Sequence, residues 1–191
     1  METEFSKKQG EFLLKIAKNA IYNKIHSQTK NIIQDENKLK DICLNEKHGT
    51  FVTLYKHGNL RGCIGTLEPV ESIIEGIKTN AINAAFNDPR FSPVNKNEIK
   101  DLDIEISILT KPEPLIYKNP TDLLSKLKVN IHGVIIKKNR RKATFLPQVW
   151  EQLPDKKEFL SHLCIKAGLS SKEWKKKGLE VMVYYVQSFK A

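Results

Sequence analysis

Apolar residues recur at three- and four-residue steps through Phe12, Leu13, Ile16, Ala17, Ala20, Ile21 and Ile25, behind a serine suited to capping, which predicts an amphipathic helix from about Ser6 to Ser27. Residues 28–47 are polar and weakly periodic, with a short apolar piece at Leu39, Ile42 and Leu44 that suits a helical turn or an edge strand equally. The pattern then becomes β-rich. Phe51 to Tyr55 and the run from Leu60 onward flank Lys56-His57-Gly58-Asn59, the signature of a hairpin. Pro69 ends the second run, and Glu71 and Ser72 lead a helix with Ile73, Ile74, Ile77, Ala81, Ala84 and Ala85 on one face, closing near Asn87. Strict alternation from Asp101 to Ile108 sets four aliphatic residues against acids and a serine, so this strand belongs to a sheet with one wet face.

Further along, Lys111-Pro112-Glu113-Pro114 reads as an extended break and Thr121 to Lys128 as a short helix capped from Thr121. Gly133–Lys137 and Lys142–Leu146 predict a second hairpin around the basic tip 138–141. Pro147 to Trp150 starts a helical turn, and Phe159, Leu160, Leu163, Cys164 and Ala167 form an apolar stripe that Gly168 terminates. Leu179 to Val186 alternates as one closing strand within the main sheet. Hairpins mixed with four or five helices predict an α+β protein, a largely antiparallel sheet covered by helices on one side.

The densest chemistry lies in Leu60-Arg61-Gly62-Cys63-Ile64-Gly65, followed by Thr66. If this run is extended, Arg61, Cys63 and Gly65 share one face and Leu60, Gly62, Ile64 and Thr66 the other. A fixed cation beside a thiol favours the thiolate, and glycine in a strand marks a close approach by a ligand or another backbone. The alternative is that Cys63 packs as a small apolar side chain and the glycines mark a bulge. Asp88-Pro89-Arg90-Phe91 is a proline-stiffened loop that either turns the chain with an internal Asp–Arg pair or faces a ligand. His132, at a strand start, suits either a structural hydrogen bond or proton transfer.

Charge adds one question. The chain carries 32 Lys and Arg against 22 Asp and Glu, a net +10, which favours an anionic partner such as RNA, although lysine is spread along the whole sequence. Two denser runs stand out, Lys137, Lys138, Arg140, Arg141, Lys142 and Lys172, Lys175, Lys176, Lys177, both suited to plain solvation. Cys43, Cys63 and Cys164 are widely spaced, which argues against a disulfide framework or a cysteine metal site. The five histidines place no ligand pair on one helix, and neither a P-loop nor a dinucleotide fingerprint is present, so no metal and no cofactor are expected. Without a long apolar run, a soluble, cytoplasmic protein away from membranes is expected.

In order and spacing, Gly49-Thr50-Phe51-Val52-Thr53-Leu54, the hexapeptide 60–65, Asp88-Pro89-Arg90-Phe91 with Pro93, Ile106-Ser107 with Leu109, His132-Gly133, Phe145-Leu146-Pro147-Gln148-Val149, and Leu163-Cys164 with Lys166-Ala167-Gly168-Leu169 form one series. That series resembles the AMMECR family, known in bacteria and archaea as AmmeMemoRadiSam system protein A. The resemblance spans nearly the whole chain and departs at Asn130, where a glycine is expected ahead of His132-Gly133. It implies an α+β fold of two packed αβ lobes in one compact unit, a single domain over residues 1–191, with neighbouring termini. It also implies association with Memo-type and radical SAM proteins in a modification pathway for RNA, protein or a metabolite, with no assigned activity.

Three readings follow. In the first, Cys63 is the nucleophile of a transferase or ligase-like enzyme, Arg61 favours its thiolate or holds an anionic group, and His132 moves a proton. Gly62, Gly65, Thr66, Asp88, Arg90, Phe91 and Gln148 then contact substrate. In the others the protein is non-catalytic, a nucleic-acid binder using its basic patches or an adaptor using the hexapeptide surface.

Overall fold

A computed structural model describes residues 5–27 and 42–191. The chain divides into two units, residues 1–109 with 187–191, and residues 110–186.

Unit 1 opens with α1 (Lys7–His26), whose N-cap Ser6 forms a reciprocal capping box with Gln9, and whose C-cap Ser27 is left-handed. The helical turn α2 (Ile42–Asn45) carries the second half of the short apolar piece, while Leu39 lies outside the described residues. Then come β1 (Gly49–Lys56) and β2 (Asn59–Thr66), joined by His57 and Gly58, both at positive φ, the two-residue turn that a right-twisted hairpin favours. Ser72 caps α3 (Ile73–Phe86), and Ile99–Asp101, a single 3₁₀ turn, leads into β3 (Leu102–Leu109). The sheet order is β2-β1-β3-β8, with β8 (Val186–Lys190) at one edge and β2 at the other. One side of this sheet is the core: Leu13, Ile16 and Ile21 of α1 and Ile73, Ile77, Ala81 and Ala84 of α3 pack against Val52, Leu54, Ile104 and Ile106. The termini meet as expected, since Phe5 and Gln187 exchange two hydrogen bonds, of 2.8 and 2.7 Å.

Unit 2 has its own sheet, ordered β4-β7-β5-β6, from β4 (Glu113–Pro114), β5 (Gly133–Lys138), β6 (Arg141–Phe145) and β7 (Glu180–Tyr184). Its helices are α4 (Pro120–Lys126) and α5 (Lys156–Lys166), with 3₁₀ turns at Pro147–Glu151 and Glu173–Lys175. Trp150 stacks on Phe159 at 3.5 Å between ring centres, among Val134, Ile136, Leu160 and Val181. Cys164 is fully buried in this core, where desolvation pushes its thiol up.

The α+β class holds, with the antiparallel strands shared between two sheets. Two local expectations change. The cap of α4 is Asn119, which accepts from Asp122 N at 2.9 Å, and Pro120 takes the first helical position, where its missing N–H loses nothing. The closing strand is two strands: Tyr185 interrupts it through paired bonds with Thr110, so β7 joins the second sheet and β8 the first. Asn130, in place of the expected glycine, has φ 62°, a left-handed conformation that asparagine tolerates better than most residues.

Candidate functional site around Cys63

Cys63 lies on β2, the edge strand, opposite Thr53. An edge strand leaves alternate N–H and C=O groups without a neighbouring strand. At Cys63 the loop after α3 supplies the partners: Asp88 Oδ2 accepts from Cys63 N at 2.8 Å, and Arg90 Nη2 donates to Cys63 O at 3.1 Å. Arg90 also holds Asp88 through Nε at 3.0 Å and Nη2 at 2.7 Å, a two-pronged pair. The Asp88 side chain is 1% exposed and that of Arg90 53%. The Arg90 bonds and the two backbone N–H groups of Cys63 and Arg90 hold the Asp88 carboxyl well below the usual carboxylate range, against the opposing effect of burial. The internal Asp–Arg pair expected of this loop is present, and it also fastens the backbone of Cys63.

The sulfur accepts from Thr53 Oγ1 at 3.3 Å. On the far side of β1, Thr53 stands opposite Glu105 of β3, so Cys63, Thr53 and Glu105 form one cross-strand row on the sheet face opposite the helices. Thr53 and Glu105 do not stand out in the sequence. Alternation puts Glu105 among the wet-face residues, but the hairpin register that joins it to Cys63 is hidden there.

What hides it is a bulge. Leu54 pairs with Gly62 but Tyr55 pairs with Leu60, leaving Arg61 as an extra residue. The expected alternation breaks there: Leu60 falls on the side of Tyr55, whereas Gly62 falls on the core side with Leu54. Arg61 turns to Glu98, donating through Nε and Nη2 at 3.1 Å each, and Lys56 adds a third bond at 3.0 Å. These cations and the Asn95 N–H push Glu98 down to about 2. The guanidinium that bonds Cys63 is thus that of Arg90, through the Cys63 carbonyl, while Arg61 is committed to Glu98. Nη1 of Arg61 is buried with no hydrogen-bond partner among the described residues.

The glycines are explained by packing. A Cβ on Gly62 would lie 2.1 Å from the Ala84 carbonyl oxygen, so α3 approaches β2 as closely as only glycine permits. One on Gly65 would meet the Phe51 ring at 2.2 Å and the Thr50 carbonyl at 2.4 Å. Thr66 bonds Glu68 N at 3.2 Å and shapes the turn after β2. Phe91 lies under the Arg90 guanidinium, 5.5 Å from ring centre to cation.

His132 and Gln148 belong to unit 2. His132 is buried, its Nδ1 accepts from Lys128 N at 3.3 Å, and its carbonyl accepts from Trp150 Nε1 at 2.8 Å. Burial, with Lys128 and Lys156 adding, moves its pKa below the usual imidazole value. Those bonds suit the structural reading of this histidine. Gln148 is exposed on the Pro147–Glu151 turn. Among the described residues, no group of three His, Cys, Asp or Glu side chains is placed to hold a metal ion, and no helix is long and apolar enough to cross a membrane.

Comparison with known proteins gives a consistent picture. Residues 14–189 match the family model described as AMMECR1. A protein of Methanothermobacter thermautotrophicus is 42% identical over 165 residues, covering 86% of this chain and 84% of its own length. Another, of Methanopyrus kandleri, is 39% identical over 197 residues, covering 99% and 91%. The crystal structure of an uncharacterised protein, PH0010, from Pyrococcus horikoshii superposes with a TM-score of 0.83 at 34% identity, covering 97% of this chain and 93% of that one.

Proposed function

The chain belongs to the AMMECR1 family, and from that premise and the setting of Cys63 we propose a thiol-dependent group-transfer enzyme with Cys63 as nucleophile. One observation carries the reading: a buried carboxylate, a guanidinium and a hydroxyl all fasten the same cysteine, through its N–H, its C=O and its sulfur. A packing cysteine needs none of them, and burying a carboxylate is costly unless it is fully bonded.

In this reading Sγ attacks the electrophilic carbon of a donor, the bond from that carbon to its leaving group breaks, and the thiol proton passes by way of Thr53 toward Glu105 and then to the leaving group. A nucleophile on the acceptor then takes the group and restores the thiol. Asp88 and Arg90 fix the strand, Arg90 and Phe91 face substrate, and Arg61 holds Glu98 behind the strand. Glu105 takes the proton-transfer part that the sequence suggests for His132. The acceptor is an RNA, a protein or a metabolite in a cytoplasmic modification pathway, with Memo-type and radical SAM proteins as partners by family association.

The test is iodoacetamide labelling at neutral pH in a Cys43→Ala/Cys164→Ala background, followed by intact mass. Cys63 should label about tenfold faster than free glutathione, and Thr53→Val should slow it severalfold. A rate no faster than glutathione and unmoved by Thr53→Val would leave the hexapeptide as a shaped surface, and the adaptor reading would take its place.

A further inference from the structure

The net charge is not distributed as the chain-wide lysine content suggests. Each unit carries 16 Lys and Arg, but unit 1 has 15 Asp and Glu and unit 2 only 7, so +9 of the total +10 belongs to unit 2. A general compositional bias would load both units alike.

Within unit 2 the fold joins the two basic runs that sequence leaves 30 or more positions apart. Lys138 Nζ reaches Glu173 Oε1 at 2.5 Å and the Lys177 carbonyl at 3.4 Å, while Lys176 takes the other Glu173 oxygen at 3.0 Å. Arg141 bonds the Gly168 carbonyl. Glu173 is the acid at the junction; it is buried, and the two lysines hold its carboxyl below the usual range. It ties the tip of the second hairpin to the loop 172–178 and points inward, leaving Arg140, Arg141, Lys172, Lys175, Lys176 and Lys177 exposed. Two hollows flank this loop. One, of about 550 Å³, lies between the hairpin tip and Ser170; the other, of about 540 Å³, lies between Tyr117-Lys118 and Lys175–Gly178.

We propose that this face of unit 2 docks the phosphate backbone of a nucleic acid without reading its sequence. The inference is independent of the Cys63 reading. A concave surface rimmed by six exposed cations, with Glu180 on one edge paired to Lys137, suits a regularly charged polyanion. Nucleic-acid interfaces are more polar and far more positive than protein interfaces, whose centres carry aromatic and aliphatic anchors rather than lysine. Lysine is a point charge that attracts phosphate with little geometric demand, which suits backbone binding and not base readout.

The experiment is fluorescence anisotropy of a labelled 20-nucleotide oligo(U), with oligo(dT) in parallel, titrated with the full chain at several salt concentrations. Arg140→Glu/Lys172→Glu/Lys177→Glu should weaken binding at least tenfold and flatten the log–log salt dependence by about 2, at roughly 0.7 for each phosphate no longer neutralised. Lys8→Glu/Lys96→Glu/Lys100→Glu, the same charge change on exposed residues of unit 1, should stay within about twofold of the parent. Circular dichroism confirms that each variant is folded. Equal weakening by both triple variants, absence of binding at about 50 mM salt, or equal competition by polyglutamate at matched charge would overturn the proposal, the last in favour of an acidic protein partner.

Discussion

Asp88 shows how a single residue supports a site without touching chemistry. Its carboxylate takes one backbone N–H from the edge strand and one from its own loop, so Asp88→Ala orphans both and releases Arg90. A loss of about 2–3 kcal/mol in urea unfolding is expected, whereas Arg90→Ala, removing a half-exposed partner, should cost about 1. Gly62→Ala makes a different prediction. The new methyl meets the Ala84 carbonyl, part of a helix backbone that cannot move alone, so it should destabilise by at least the 1–3 kcal/mol typical of overpacking. If unfolding midpoints for Gly62→Ala match the parent, α3 is not held where the structure has it. Of the hexapeptide, the sequence offers Arg61, Gly62, Cys63 and Gly65 as candidates for chemistry; in the fold Gly62 and Gly65 serve close packing and Arg61 serves Glu98, which leaves Cys63 as the group on which the proposed chemistry rests.

At the scale of elements, the hairpins and helices are the most legible part of the chain. The hairpin, the caps at Ser6 and Ser72 and the alternation of β3 depend on near neighbours, and each is found where its pattern places it, the hairpin tip being shorter than its sequence suggests because Lys56 and Asn59 pair within the strands. The bulge is not legible, because an inserted residue changes no local periodicity that a sequence displays. Deleting Arg61 would close the bulge while leaving Leu54 opposite Gly62 and Thr53 opposite Cys63, so the thiol keeps its face and what is lost is the Arg61 hold on Glu98. Labelling of Cys63 should then stay close to that of the parent; a fall well below it would show that the bulge, and not the pairing with Thr53, presents the thiol.

For the whole molecule, acid should act on the two units in sequence. His132, in unit 2, has its pKa lowered by burial, so the unfolded chain takes up that proton first and stability declines as pH falls below about 6.5. Asp88 and Glu98, in unit 1, are also depressed, and their contribution is complete above about pH 5 and lost as pH falls through their folded values, about 2 for Glu98. Both tryptophans, Trp150 and Trp174, lie in unit 2, so their fluorescence reports that unit alone. Its urea midpoint should drop between about pH 7.5 and 5.5, while hydrogen exchange of β1 and β3 stays unchanged until about pH 4.5. Equal tryptophan midpoints at the two higher values would contradict the assignment of His132 as a buried, neutral ring.

By itself the sequence determined the identity and order of the local elements, the family to which its motifs point, and the stretch worth inspecting. These follow from caps, turn chemistry and periodicities, interactions between residues a few positions apart. Only the tertiary structure decided that the strands divide between two sheets, that Arg90 and not Arg61 bonds Cys63, and that the positive charge collects in one unit. Those outcomes rest on pairs such as Cys63 with Asp88, 25 positions apart, Arg61 with Glu98, 37 apart, and Lys138 with Glu173, 35 apart. Such partners are selected when the chain closes around a core and every buried polar group must find a bond, a condition no local pattern contains.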